Sequence, residues 1–294
     1  MILNYSIYRF RPFSPGDYDL YKRVVALKSS DSDLKVLISY GGYNFGSWTF
    51  TEIRETFDKS KPGLLLTAAV AAGEDTVLNA YDIKSMANSY DYIFLMSYDL
   101  HGSWESTTDM HAKLREKSGG GIYNTEYSAK VWVNGGMPKS KVVIGIPTYS
   151  KGYRLTSSAN GLGASANGPA APTAVYTDGA GAAYWEICDM IKSGGKETTE
   201  TTAVGAYMSQ GTNWHGYDNP ASIKIKMEWI LKEGYAGAFI WALDTDDFNG
   251  KHCGKGTYPL MNAINEGLGG AVLPETTTKT PGQVRKRFKL FERY

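Results

Sequence analysis

The chain has 294 residues, of which 42% are hydrophobic, 21% charged and 13% aromatic, and this composition excludes a disordered chain, a collagen and a disulfide-rich miniprotein. Lysine and arginine (31 residues) balance aspartate and glutamate (30 residues), so the net charge of +1 gives no electrostatic reason to expect a nucleic acid or an anionic membrane as partner. No stretch reaches the roughly 20 apolar residues of a membrane span, and residues 1–10 are too short and polar for a signal peptide. The sequence therefore predicts a soluble globular protein.

Short and nearly continuously apolar runs recur along the chain and predict strands that are buried on both faces. They are residues 35–40, 64–71, 92–97, 141–147 and 237–243. Amphipathic stripes at 18–25, 123–131 and 260–268 predict helices between and after these strands. Because strands and helices alternate, the fold class is predicted to be α/β with a parallel sheet.

The clearest helix follows Asn219 and Pro220, which supply an N-cap and a first-turn proline. Gly234 is its predicted end. Its apolar face is predicted to contain Ile223, Met227, Ile230 and Leu231.

Two spacings depart from this alternation. The segment from Tyr149 to Gly237 is longer than one crossover helix requires, which predicts an inserted α+β subdomain at about 150–215. Residues 41–63 have room for one short helix around Ile53 and Phe57, but not for a further strand. Residues 269–294 read as a Thr-rich linker and a basic, solvated tail.

The cysteines and histidines do not indicate a metal site. Cys188 and Cys253 are the only two cysteines, and they can form one disulfide or remain two buried thiols. The four histidines have no metal-ligand spacing; they are His101, His111, His215 and His252. No metal and no cofactor is predicted.

Four motifs follow predicted strands, at the ends where α/β barrels carry their chemistry. They are GGYNFG at 41–46, MSYDLHGSWE at 96–105, PTY at 147–149 and WALDTDDF at 241–248. In this order they resemble the glycoside hydrolase family 18 chitinases and chitinase-like proteins, and the resemblance runs from about Leu34 to Leu268. It implies a (β/α)8 barrel, a disulfide between Cys188 and Cys253, and an extracellular location.

The resemblance also implies cleavage of β-1,4-linked N-acetylglucosamine polymers, in which the acetamido oxygen of the substrate attacks and the protein supplies a general acid. In active members that acid is the glutamate ending a D-x-x-D-x-D-x-E run on the fourth strand. This chain contains no such run, and its place corresponds to the short segment 41–63. We therefore expect residues 1–268 to form an incomplete barrel that lacks about two strands and the general acid.

The residues that contact sugar in the family are better preserved. Trp241 resembles the floor residue that stacks under a sugar ring, Trp104 a residue at the rim, and Met96 a pocket wall. Tyr98 and Tyr149 resemble hydroxyl donors, and Asp99 resembles a contact of the acetamido group. Two positions differ from the family, because Tyr43 replaces the usual tryptophan and Lys151 replaces the usual arginine, which removes a bidentate contact.

Other carboxylates are poor substitutes for the missing acid. Asp99 is expected to be ionised at neutral pH. Glu105 is expected to pair within its loop, Glu186 lies on the helix of the insertion, and the group Asp244, Asp246 and Asp247 is expected to cap a turn. No catalytic residue is therefore assigned.

Three functions remain open from the sequence. The first is binding of chitin or N-acetylglucosamine oligomers without cleavage. The second is a chitinase of which this sequence is a truncated or mis-spliced version. The third is a remnant that neither binds nor cleaves, because a barrel short of two strands exposes unpaired edges. The oligomeric state is not predicted.

Overall fold

The computed structural model describes residues 17–30, 34, 36 and 50–270. The helices are α1 (Asp17–Ala26), α2 (Phe50–Ser60), α3 (Glu74–Ala80), α4 (Ile83–Ser89), α5 (Thr125–Asn134), α6 (Tyr184–Lys192), α7 (Pro220–Glu233) and α8 (Pro259–Gly267). The strands are β1 (Thr67–Val70), β2 (Tyr92–Leu95), β3 (Val142–Pro147), β4 (Tyr149–Arg154), β5 (Gly181–Ala183), β6 (Lys196–Glu200), β7 (Gly205–Gln210), β8 (Asn213–Tyr217) and β9 (Gly237–Trp241). Short 3-10 turns occur at Leu27–Ser29, Lys139–Lys141 and Leu243–Thr245.

Four of the predicted strands form one parallel sheet, in the order β1-β2-β3-β9. The α/β prediction is confirmed, and the strands are shorter than the apolar runs that predicted them. Three predicted features lie outside the described residues: the strand at 35–40 except for residue 36, the GGYNFG motif with Tyr43, and the tail from residue 271 onward. The helix predicted around Ile53 and Phe57 is α2, which begins at Phe50 and ends at Ser60.

The two faces of the parallel sheet differ in burial. In β2, Ile93 and Leu95 are fully buried on the face that the helices cover, whereas Phe94 is only half-buried on the other face. Within residues 50–270 the sheet stays open, because β1 and β9 are its two edges. An open parallel sheet of this kind is what an incomplete barrel predicts.

The segment between β3 and α7 folds into an antiparallel sheet with the strand order β5-β4-β8-β7-β6 and one helix, α6. This confirms the predicted α+β insertion before the last strand of the parallel sheet. Cys188 of α6 forms a disulfide with Cys253, which follows β9, so a covalent bond joins the insertion to the parallel sheet unit.

Two details of the predicted helices are wrong. Leu231 does not belong to the buried face of α7, because its side chain is 57% exposed while Ile223, Met227 and Ile230 are buried. The buried face of α7 is therefore narrower than the apolar face that the sequence predicts. Tyr123 is not helical, because the side chain of Asn124 accepts a hydrogen bond from the Tyr127 N–H and caps α5 at Thr125.

The described part of the chain contains no helix with the length and apolarity of a membrane span. In the same residues, no group of three or more histidine, cysteine or acidic side chains has the arrangement of a metal site.

His215 in β8 makes the stability of the insertion dependent on pH. Its side chain is 1% exposed, its Nδ1 lies 3.0 Å from the Ser150 hydroxyl, and burial lowers its pKa to about 4. The unfolded chain therefore binds a proton at this group near pH 6.5 while the folded chain resists it, so the free energy of unfolding falls as pH drops from about 6.5 towards 4.

We expect this group to remove about 2 kcal/mol from the free energy of unfolding between pH 7.5 and pH 5. Urea unfolding of the wild type and of His215→Gln at both pH values checks this, because the difference between the two chains isolates this group from other titrations. An equal change with pH in both chains would contradict the expectation.

Candidate functional site

The carboxyl ends of β2, β3 and β9 lie side by side at one edge of the parallel sheet. Thr148, between β3 and β4, donates its N–H to the Trp241 carbonyl at 3.0 Å, and its hydroxyl to the Ala242 carbonyl at 2.5 Å. The next residue, Tyr149, is thereby held beside the end of β9. Of the seven predicted sugar contacts, the structure places Met96, Tyr98, Asp99, Trp104, Tyr149 and Trp241 at this edge or in the loops that leave it, and Tyr43 is outside the described residues.

Asp99 and Tyr149 form the polar centre of this edge. The Tyr149 hydroxyl donates to Asp99 Oδ1 at 2.6 Å, and the Lys151 ammonium lies 3.1 Å from the same oxygen. The ring of Tyr149 is buried, whereas the side chain of Asp99 is 47% exposed. The contacts of the carboxylate with Tyr149, Lys151 and His111 are all made by Oδ1.

The surroundings keep Asp99 ionised. Burial alone would raise its pKa, but hydrogen bonds to the carboxylate and the positive charge of Lys151 outweigh burial and hold the pKa below its ordinary value. The pKa of Tyr149 is raised by burial and by the charge of Asp99, so its phenol stays protonated and remains a hydrogen-bond donor. The Asp99 carboxylate is therefore ionised at neutral pH and accepts hydrogen bonds.

Tyr98 and Met96 continue the half-buried face of β2 beyond its last residue. The ring of Tyr98 lies 6.2 Å from that of Tyr149 and 6.3 Å from that of Phe239 in β9, both edge to face. Gly145 in β3 allows this approach, because a Cβ there would lie 2.8 Å from the Tyr98 ring. Met96 is half-buried, and its N–H donates to the Val70 carbonyl of β1 at 3.0 Å.

Two tryptophans of the site are mostly exposed. Trp241, the last residue of β9, is 59% exposed, so it is not a core residue. Trp104 is 66% exposed, and the Lys151 ammonium lies 6.0 Å from its ring centroid. Large rings that stay exposed beside hydrogen-bonding groups are typical of surfaces that stack on sugar rings.

The loop that carries Trp104 is closed by Glu105. Its carboxylate lies 3.0 Å from His101 Nδ1 and accepts the Gly102 N–H and the Tyr153 hydroxyl, each at 3.2 Å. The expected loop pairing of Glu105 is thereby observed, and the carboxylate is engaged within the protein.

The fit between Trp104 and Gly102 allows a selective perturbation. A Cβ on residue 102 would lie 2.2 Å from Cζ3 of the Trp104 ring, so Gly102→Ala must displace the exposed ring without opening a core. We expect Gly102→Ala and Trp104→Ala to weaken oligosaccharide binding by a similar factor of about 5 to 10, with an unchanged Tm.

Titration calorimetry measures this effect. Gly161→Ala is the matched control, because a Cβ at residue 161 meets nothing within 4 Å. A Gly102→Ala chain that binds as tightly as the wild type would contradict the role given to Trp104.

The remaining candidate carboxylates are structural, with one exception. Glu186 is buried and accepts N–H groups of Ala183 and Val175 and the Thr173 hydroxyl, which ties the loop before α6 to that helix. Asp246 accepts the N–H groups of Leu260 and Met261 at the start of α8. Asp247 accepts N–H groups of Lys251, His252 and Cys253. These two aspartates do cap turns, as expected, whereas Asp244 is exposed.

Sequence reasoning missed two residues of this edge. Tyr176, from the loop before β5, stacks on Tyr149 with ring centroids 6.1 Å apart and an interplanar angle of 24°. Burial and the charge of Asp99 raise the pKa of Tyr176 to about 12. His111, which is fully buried, contacts both Asp99 and Tyr149. Neither residue stands at a strand end or in one of the four motifs.

Comparison with known proteins assigns this chain to one class of carbohydrate-active proteins. The family model described as "Glycosyl hydrolases family 18" matches residues 49–246. The chain belongs to this family, whose fold is the (β/α)8 barrel, and the open parallel sheet is an incomplete part of it.

Among curated relatives, an endochitinase of Brugia malayi is 42% identical, and the alignment covers 92% of this chain and 66% of that protein. The chain thus spans slightly less than two thirds of that relative. The alignment has 335 positions, more than the 294 residues of this chain, so the relative has residues without a counterpart here.

Two solved structures are similar at a TM-score of 0.81 and 33% identity, each covering 87% of this chain and 86% of the other. One is a chitinase from Trichuris suis described as immunomodulatory. The other is human YKL-39, described as a pseudo-chitinase with retained chitooligosaccharide binding properties.

Proposed function

We propose that this protein binds chitin or N-acetylglucosamine oligomers at the carboxyl edge of its parallel sheet and does not cleave them. Two observations support the proposal: exposed rings surround a hydrogen-bonded pair at this edge, and the sequence lacks the acidic run of active members. Trp104 and Trp241 are exposed around the hydrogen-bonded Asp99 and Tyr149. No glutamate anywhere in the sequence ends a D-x-x-D-x-D-x-E run.

The chemistry of the site fits an N-acetylated sugar. The exposed indole faces supply stacking area for sugar rings. The protonated Tyr149 and the ionised Asp99 supply a donor and an acceptor within one hydrogen-bonded pair, which suits an acetamido group with its N–H and C=O. The proposal includes Met96, Tyr98 and Tyr43 as further contacts of the oligomer. The retained binding described for the similar YKL-39 supports it.

The absence of cleavage follows from proton supply. Departure of a glycosidic oxygen needs a carboxylic acid that is protonated near neutral pH and lies within hydrogen-bond reach. Asp99 has its pKa held low, and Glu105, Glu186 and Asp247 are engaged by groups of the protein. Burial raises the pKa of Asp246 to about 6, but this carboxyl is 0% exposed and accepts the Leu260 and Met261 N–H groups, so it lies out of reach of a ligand. A bound oligomer would therefore remain intact.

We also propose an extracellular location. The Cys188–Cys253 disulfide supports it, since such bonds persist in oxidising compartments.

Thermal unfolding tests the binding proposal. An oligomer at 100 times its dissociation constant stabilises the folded chain by about 2.7 kcal/mol, so chitohexaose should raise Tm by several degrees. Cellohexaose, which has the same β-1,4 linkage but no acetamido groups, should raise it much less. A cooperative transition that chitohexaose leaves unmoved would contradict the proposal.

One observation favours a second candidate, hydrolysis of the same polymer by a longer form of this protein. The endochitinase of Brugia malayi is 42% identical to this chain and contains residues that have no counterpart in it. A transcript that encodes the D-x-x-D-x-D-x-E run between the present residues 40 and 64 would support this candidate, and transcripts that match the 294-residue sequence would count against it.

A further inference from the structure

The buried side chain of His111 touches both members of the polar pair that the proposed function uses. Its ring is 0% exposed and comes from the segment between the Trp104 loop and α5, not from a strand end. Its Nδ1 lies 3.1 Å from the backbone nitrogen of Asp99, and its Nε2 lies 3.1 Å from the backbone oxygen of Tyr149. One imidazole thus connects the end of β2 to the beginning of β4.

These two contacts determine the protonation of the ring. The Asp99 N–H can only donate, so the Nδ1 that faces it must carry a lone pair. The Tyr149 carbonyl can only accept, so the Nε2 that faces it must carry the proton. The hydrogen-bond partners therefore assign the neutral Nε2–H tautomer to His111.

His111 tethers the backbone of Asp99 through the hydrogen bond to its N–H. Asp99 has a φ of 59°, in the left-handed region that is uncommon for residues with a Cβ and in which asparagine and aspartate are enriched. A conformation of this kind persists only when its surroundings hold it. Here the Asp99 N–H is bound to His111 Nδ1, and the next N–H, that of Leu100, donates to the His111 carbonyl at 3.0 Å.

The same ring also fixes Tyr149. The two ring centroids are 5.0 Å apart, and the Tyr149 hydroxyl returns to Asp99 Oδ1 at 2.6 Å. His111, Tyr149 and Asp99 form a closed circuit in which each residue is hydrogen-bonded to the other two. The circuit uses Oδ1, and the Asp99 side chain as a whole is 47% exposed.

We infer that His111 is a positioning residue of the binding site, whose Nε2–H tautomer holds Asp99 in its left-handed backbone conformation and so presents the Asp99 carboxylate to the ligand. This inference rests on the proposed function, since it concerns the same site. His111 does not itself contact the ligand, because it is fully buried.

Two substitutions of His111 test its contact with Asp99 and its contact with Tyr149 separately. The amide of asparagine reaches the position of Nδ1, so His111→Asn retains an acceptor for the Asp99 N–H and loses the bond to Tyr149. The longer glutamine reaches the position of Nε2, so His111→Gln retains a donor to the Tyr149 carbonyl and loses the bond to Asp99. A residue that merely fills space would tolerate or reject both alike.

We expect His111→Asn to bind chitohexaose within about threefold of the wild type and His111→Gln to bind at least about tenfold more weakly, at a similar Tm for both variants. If the wild type binds chitohexaose and the two variants bind it with equal affinity, the inference is overturned.

A second measurement needs no ligand and no variant. Long-range 1H–15N NMR spectra of the uniformly labelled chain distinguish a protonated from an unprotonated ring nitrogen. We expect the His111 ring to show a protonated Nε2 and an unprotonated Nδ1, and a protonated Nδ1 would overturn the tether. If the wild type binds no oligomer, the proposed function fails, while this spectrum still decides whether Asp99 is held by His111.

Discussion

Replacing Lys226 by methionine is expected to lower the free energy of unfolding by about 3 to 5 kcal/mol, because it leaves a buried carboxylate without its partner. Lys226 of α7 is 1% exposed, and its ammonium lies 2.5 Å from Asp218 Oδ2 and 2.6 Å from the Ala112 carbonyl. The ion pair therefore also anchors the residue that follows His111. Such a loss is a large part of the free energy of unfolding of ordinary domains, which is about 5 to 15 kcal/mol.

Urea unfolding of the variant measures this loss. Lys232→Met on the exposed side of the same helix is the matched control, and it should change the free energy of unfolding by less than about 0.5 kcal/mol. The double variant Lys226→Met with Asp218→Asn should recover part of the lost free energy of unfolding, because residue 218 then carries no unpaired buried charge. A double variant that is less stable than Lys226→Met would contradict this explanation.

Trp241→Ala is expected to weaken chitohexaose binding by at least about 30-fold, which corresponds to about 2 kcal/mol. The indole is 59% exposed at the end of β9, and its carbonyl is bonded to Thr148 beside Tyr149. Its contact area is therefore available to a ligand and contributes little to the core, so the Tm of the variant should remain near that of the wild type.

Leu231→Ala on α7 is the matched control, since Leu231 is also a large apolar residue, 57% exposed, and lies on a helix away from the strand ends. It should leave the affinity unchanged. If Trp241→Ala bound as tightly as the wild type, the sugar would not stack at the end of β9.

Local signals in the sequence predicted the secondary structure well. The helix α7 begins after Asn219 and ends at Gly234, because an N-cap and a left-handed glycine act within one turn of the chain. The exposure of Leu231 was not predictable in this way, because the width of the covered face depends on which elements pack against the helix.

The candidate site was less accessible to sequence reasoning. The motifs at the strand ends identified Asp99, Tyr149 and Trp241 because the family resemblance is concentrated there. His111 and Lys226 were missed, since their partners Tyr149 and Ala112 are 38 and 114 residues away in the chain. Contacts over such separations have no periodic pattern in the sequence, and only the fold brings them together.

Ligand contacts and proton supply differ at the carboxyl edge of the parallel sheet. The proposed function rests on exposed rings and a hydrogen-bonded pair at this edge, and on candidate carboxylates that are poor acids. Asp99 is ionised, Glu105 is held within its loop, and Glu186, Asp246 and Asp247 are buried and hydrogen-bonded, whereas Asp244 is exposed. The proposed function separates binding from cleavage, because stacking needs no proton and cleavage does.

The most direct test is titration calorimetry of chitohexaose into the purified 294-residue chain, followed by mass spectrometry of the recovered sugar after a long incubation. The account predicts saturable binding at one site per chain and recovery of the hexamer intact. Shorter oligomers among the recovered sugar, or no heat of binding in a cooperatively folded sample, would contradict it.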